Sequence, residues 1–149
     1  MDTIWLTGAQ WLAVLRIGLG LWWLESWRHK DKKGWFERGT GIAWAADVAA
    51  KHRWNAVRSG FEVVVAPRPR TMAYVVVCAE LAVGLGLVAG LLTPIALLGG
   101  LALNVLYFTL MIHDWAEQGQ NAMMALISAV ALFGMSWQTW SFDSALGLF

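Results

Sequence analysis

The sequence predicts an all-α integral membrane protein: a bundle of four transmembrane helices with an amphipathic helix in its long first loop. Three observations carry this. Four apolar runs, residues 4–24, 72–92, 94–113 and 121–140, each have the length of about 20 residues that an α-helix needs to cross roughly 30 Å of hydrocarbon. The composition is 58% hydrophobic and only 14% charged, against about 25% charged in a soluble domain, and the mean hydropathy is +0.54. Eleven of the 149 residues are tryptophan, which favours the membrane–water interface, where the ring is buried and its N–H stays wet. Trp5, Trp11, Trp22, Trp23, Trp27, Trp115, Trp137 and Trp140 fall where helix ends are expected. The length allows one domain, residues 1–149.

The first run reads as a span rather than a secretory signal, because Asp2 stands where a basic n-region would be and the run is long enough to cross. It contains Arg16, and its Gly18 and Gly20 permit close approach of a neighbouring helix. Glu25, Arg28, His29 and Lys30 end it abruptly. Residues 25–71 form the only long connection and carry all but one of the 11 Lys and Arg residues. The positive-inside rule therefore places this loop in the cytoplasm, in a multi-pass protein of the cell (inner) membrane, with both termini outside. Within the loop, residues 42–59 read as one amphipathic helix, with Ala43, Ala46, Ala50, Trp54 and Val57 on one face. Trp44 and Trp54 are its expected contacts with lipid or a partner chain, although a solvated linker helix has the same pattern. The segment Pro67-Arg-Pro-Arg70 stops any helix.

The second and third runs are separated by Thr93 alone and the third and fourth by residues 114–120. Such short links make neighbouring helices antiparallel. The second run holds Cys78, Glu80 and three glycines; the third opens with Pro94 and carries Asn104 and Tyr107; the fourth has Ser128, Gly134 and Ser136.

An ionised side chain inside a bilayer costs several kcal/mol unless it is paired, so Arg16 and Glu80 each need a reason. Counted from the inner ends of their runs, both lie about 12 Å deep, at about the depth of Asn104. The expectation is one polar level: an Arg16–Glu80 ion pair facing the bundle interior, with Asn104 adding a hydrogen bond. Such a level either fixes helix register or forms a pocket for a quinone headgroup, a proton or a small sulfur species. His113 and Asp114 form a second pair, either a proton relay or a solvated helix cap. Cys78 points to another helix face than Glu80, and Glu117 and Asp143 read as surface charges. One cysteine and no histidine in mid-span leave no metal centre, no covalently bound cofactor and no histidine-ligated haem. Nothing in the pattern suggests nucleic acid as a partner.

Several segments in order resemble the DoxX/DoxD-like family of small four-helix membrane proteins: Leu15-Arg-Ile-Gly-Leu-Gly20, Ala79-Glu-Leu81 with the glycines after it, Gly90-Leu-Leu-Thr-Pro94, Gly134-Met-Ser136 and Ser141-Phe-Asp143. The long tryptophan-rich loop departs from the compact family pattern and suggests an added contact surface. The resemblance implies a small subunit, without a catalytic centre of its own, that anchors or stabilises a larger respiratory or photosynthetic redox complex, with the bilayer and other membrane subunits as partners. The alternative it implies is a quinone-linked oxidoreductase subunit of the thiosulfate:quinone oxidoreductase type, with a polar intramembrane pocket open to quinone. An open cavity reaching Arg16 and Glu80 would mark the second; a closed contact would mark the first.

Overall fold

The computed structural model describes residues 5–149, and among them every regular element is helical. Helix α1 spans Gly8–His29, α2 Thr40–Ala50, α3 Asn55–Gly60, α4 Pro69–Ala89, α5 Thr93–Leu110, α6 Trp115–Phe133 and α7 Phe142–Leu146. Wider π-helical turns at Gly34–Arg38 and Phe61–Val65 and a 3-10 turn at Ser136–Gln138 complete the chain. The expected start of the first helix at Ile4 lies outside the described residues. Helix α1 begins at Gly8 because Thr7 and Gln10 form a reciprocal capping box. It runs past Leu24 to His29, with Arg28 and His29 in the last turn, where cations complement the helix dipole.

The four long helices form a ring in which α1 packs on α4, α4 on α5, α5 on α6 and α6 on α1. The α1–α4 contact is the closest. A Cβ on Gly20 would lie 2.8 Å from the backbone nitrogen of Val88, and one on Gly84 would lie 2.7 Å from the Leu24 side chain. Only glycine lets the two backbones approach this far. The core holds Leu19, Trp23, Val83, Leu87, Leu97, Met124 and Ala131.

Four further boundaries differ from the sequence expectation. Proline 69 does not stop a helix but opens α4, at a first-turn position that has no intrahelical donor to lose. Helix α6 begins six residues before Asn121, because the Asp114 carboxylate accepts from the backbone N–H groups of Ala116 and Glu117. It ends at Phe133 rather than Trp140, before a left-handed Met135. The single amphipathic helix expected over 42–59 is broken at Lys51–Trp54 into α2 and α3. The buried face of α2 is also rotated from the expected one: Ile42 and Ala49 are buried and Ala43 and Ala50 exposed.

Polar residues are buried alongside the apolar core, and large apolar side chains are exposed. Arg16, Glu80, Asn104, Asn121 and Ser128 are buried, while Leu21, Leu85, Ile95, Leu98, Val105, Leu126 and Phe133 are exposed. Helices α4 and α5 are each long and apolar enough to cross a membrane, with mean hydropathies of 2.1 and 1.6. The apolar run of α1 is interrupted by Arg16, and α6 opens with Glu117, Gln118, Gln120 and Asn121.

Candidate functional site

The two buried charges expected to pair do not meet. Contact of Gly20 with Val88 and of Leu24 with Gly84 sets the register of the antiparallel α1–α4 pair. That register carries Arg16 toward the α4–α5 turn and Glu80 toward the last turn of α1. The depth match failed because α1 ends five residues later than its apolar run. Measured from His29, thirteen residues on from Arg16, the guanidinium lies about 20 Å from that helix end rather than about 12 Å.

Arg16 is fully buried and donates only to backbone carbonyls: Nε to Leu87 at 3.1 Å, Nη1 to Ser136 at 2.7 Å and Thr139 at 3.2 Å, and Nη2 to Trp140 at 2.6 Å. The guanidinium fork thus ties the end of α4 to the segment after α6. Asp143, expected at the surface, is fully buried beside it. Its carboxylate accepts from the N–H groups of Leu92 and Thr93, both at 2.7 Å, and so caps α5. Its own N–H donates to the Gly90 carbonyl at 2.8 Å. Three non-glycine residues with positive φ, Leu92, Met135 and Trp140, occur in these same turns, each a conformation costing about 1–2 kcal/mol. The hydrogen bonds of Arg16 and Asp143 close this end of the bundle and offset that strain, although the Thr93 and Ser136 hydroxyls are buried without a partner.

Glu80 belongs to a different network. Its Oε1 accepts from the Tyr107 hydroxyl at 2.7 Å, and its Oε2 lies 2.6 Å from Lys30 Nζ. Glu80 is completely buried and the lysine side chain nearly so. Lys30 reaches it because the chain leaves α1 in an extended conformation at that residue. The ammonium also sits 5.3 Å from the Trp35 ring centroid and 3.3 Å from Ser26 Oγ. Tyr107 packs against Trp23, their ring centroids 6.4 Å apart. Asn104, one turn before Tyr107, is buried with neither amide atom hydrogen-bonded, so it joins neither charge.

This network borders a cavity of about 550 Å³, enclosed by α1, α4, α5 and α6 and covered by residues of the long loop. The volume is in the range of small-molecule sites. Its wall is mainly apolar and aromatic, with Trp22, Trp23, Trp35, Trp44, Phe61 and Tyr107 all contributing. Of these, Trp22 and Trp44 are half exposed, as are Val75 and Leu106, and they rim its opening. The indole N–H of Trp23 is buried and unpartnered. Glu117 and Asp114 lie at the polar side of the wall.

The remaining expected residues are scattered. Asp114 is the α6 cap, and His113 is exposed. Trp54 is exposed beside the loop break, edge-on to His52 with ring centroids 5.4 Å apart. His52 is buried and holds the break to the bundle: its Nδ1 accepts from the Trp54 N–H, so its Nε2–H donates to the Thr109 carbonyl at 3.0 Å. Cys78 is exposed on α4. Sequence reasoning missed Lys30, Tyr107, His52 and Asp143 as buried partners. Tyr107 alone carried a readable signal, lying three residues from Asn104 on the same helical face.

No family model, no curated protein and no solved structure matches this chain.

Proposed function

We propose that this chain is a DoxX-like, four-span protein of the cell membrane that holds one lipid-soluble small molecule in the bundle cavity. The polar end of that molecule meets the Lys30–Glu80–Tyr107 network. The single observation behind this reading is an open, aromatic-walled cavity of about 550 Å³ ending on a fully buried carboxylate. A buried ionisable residue facing such a space inside a membrane bundle is a functional-site signal. Apolar side chains exposed on all four long helices, α1 and α6 included, support the four-span reading. The charge of residues 25–71 supports a cytoplasmic loop, so the cavity opens at the inner side. A quinone, whose carbonyls accept hydrogen bonds, is one molecule of the required kind.

A second reading, an accessory subunit that stabilises a larger redox complex and holds no ligand, draws on Arg16. Its guanidinium is fully buried in a closed contact with backbone carbonyls.

Native mass spectrometry of the chain purified in mild detergent separates the two. The ligand reading expects a retained lipid-soluble molecule that is lost in Tyr107→Phe. Co-purifying membrane chains with no retained molecule would favour the accessory reading and reject the first. Orientation is tested with Lys32→Cys in a Cys78→Ser background: an impermeant thiol reagent should leave it unlabelled in intact cells, and labelling there would reverse the topology.

A further inference from the structure

The charged residues of the cavity wall are unequal in sign. Four of its residues are charged: the carboxylates Glu80, Asp114 and Glu117, and one ammonium, Lys30. Glu80 is buried among the rings while Asp114 and Glu117 are exposed at the edge; three carboxylates against one ammonium favour a positive guest, since ring faces attract cations and the low dielectric around Glu80 strengthens the attraction there. The structure also has such a guest in place. The Lys30 ammonium sits on Glu80 at 2.6 Å, above the face of Trp35, and nearly out of solvent. It arrives on a flexible stem from a residue that has already left α1, so it can withdraw without disturbing a helix. With Lys30 withdrawn, the wall presents the Glu80 carboxylate, the Tyr107 hydroxyl and the rings of Trp22, Trp23, Trp35 and Trp44.

From this arrangement we propose that the cavity is a site for a lipophilic organic cation, and that Lys30 is a tethered competitor that such a cation displaces from Glu80. The inference rests on the cavity being a ligand site, as proposed above, and adds the charge class of the ligand and the residue that regulates its entry. Displacement exchanges one cation for another on Glu80, so the buried carboxylate is never left unpaired, the state that costs most in a low-dielectric interior. Met72, Met111 and Met124 also line the cavity, and their flexible thioethers adapt to guests of differing shape.

The test is equilibrium binding of labelled tetraphenylphosphonium to the full chain in phosphatidylcholine nanodiscs, corrected with empty nanodiscs. Tetraphenylborate, the anion of matching size and shape, is the control. Saturable binding of the phosphonium at one per chain is expected, with no saturable binding of the borate. Lys30→Met should tighten phosphonium binding about tenfold, and Glu80→Gln should weaken it at least about tenfold, the range of one desolvated ionic contact. Because Glu80→Gln changes a buried network, two further variants read the site in a folded chain. Glu80→Asp should retain binding. Glu117→Gln, at an exposed position, should weaken it about twofold, as a more solvated charge does. Equal binding of both ions, or unchanged affinity in Lys30→Met, would overturn the proposal. Saturable binding of a neutral decyl-quinone with no preference for the cation would reject the charge selection and keep the ligand site. Absence of saturable binding by all three probes would reject both.

Discussion

Replacing Arg16 by methionine keeps an unbranched apolar stem and removes the guanidinium with all its donors. Four carbonyls then lose their partner: those of Leu87 and Ser136 in fully buried hydrogen bonds, and those of Thr139 and Trp140 in partly buried ones. A buried acceptor left unsatisfied costs about 1–3 kcal/mol. The two partly buried carbonyls can regain water, so the loss comes chiefly from the other two and amounts to about 3–5 kcal/mol. Release of strain at Met135 and Trp140 returns part of this, and the net expectation is about 3 kcal/mol. Arg16→Lys should lose about half as much, because an ammonium has three donors and no planar fork to span both segments. The assay is unfolding in mixed detergent–SDS micelles followed by circular dichroism. The decisive measurement is the double variant Arg16→Met/Glu80→Leu. If the two residues were an ion pair, removing both would recover much of the loss. In the observed structure they serve separate networks, so their effects should add to within about 0.5 kcal/mol. Recovery in the double variant would refute the arrangement described here. Arg16→Met with Asp143→Asn, in contrast, should be non-additive, since the two side chains hold the same turns.

Gly90→Ala should destabilise by at least about 2 kcal/mol, because φ is +65° there and left-handed backbone alone costs a residue with a Cβ about 1–2 kcal/mol. The new methyl would also meet Ser141 Cα at 2.7 Å and Arg16 Cζ at 3.1 Å. Gly18→Ala, with nothing within 4 Å, is the matched control and should be neutral or slightly stabilising. His52→Ala removes the bond from the loop to the Thr109 carbonyl, so tryptic cleavage after Lys51 and Arg53 should accelerate about tenfold, with an unchanged bundle by circular dichroism. At the end of α1, the hydrogen bond from Arg28 holds the Glu25 carboxyl below its ordinary range. This helix-end contact is therefore present above the ordinary carboxylate pKa and is lost as pH falls through the lowered one. Carboxyl NMR titration should find Glu25 returning upward in Arg28→Ala.

The sequence alone determined the helical class, the placing of α4 and α5 on apolar runs and the burial of Arg16 and Glu80. Each depends on local quantities: apolar run length, residue type, and the cost of placing a charge among apolar neighbours. The boundaries were legible where apolarity and capping coincide. They failed at α6, where Asp114 starts the helix six residues ahead of its apolar part, and at residues 51–54, where His52 breaks the loop helix by bonding across to α5. What each buried charge pairs with was decided only by tertiary structure. The register in which Gly20 and Gly84 let α1 and α4 close sends Arg16 to carbonyls 71 to 124 residues away and leaves Glu80 to Lys30, just beyond the far end of α1. Arg16 and Glu80 entered the sequence reading as one pair because each needs a partner, but the donors of a guanidinium can also be filled by backbone carbonyls. Only the folded chain says which acceptors are within reach.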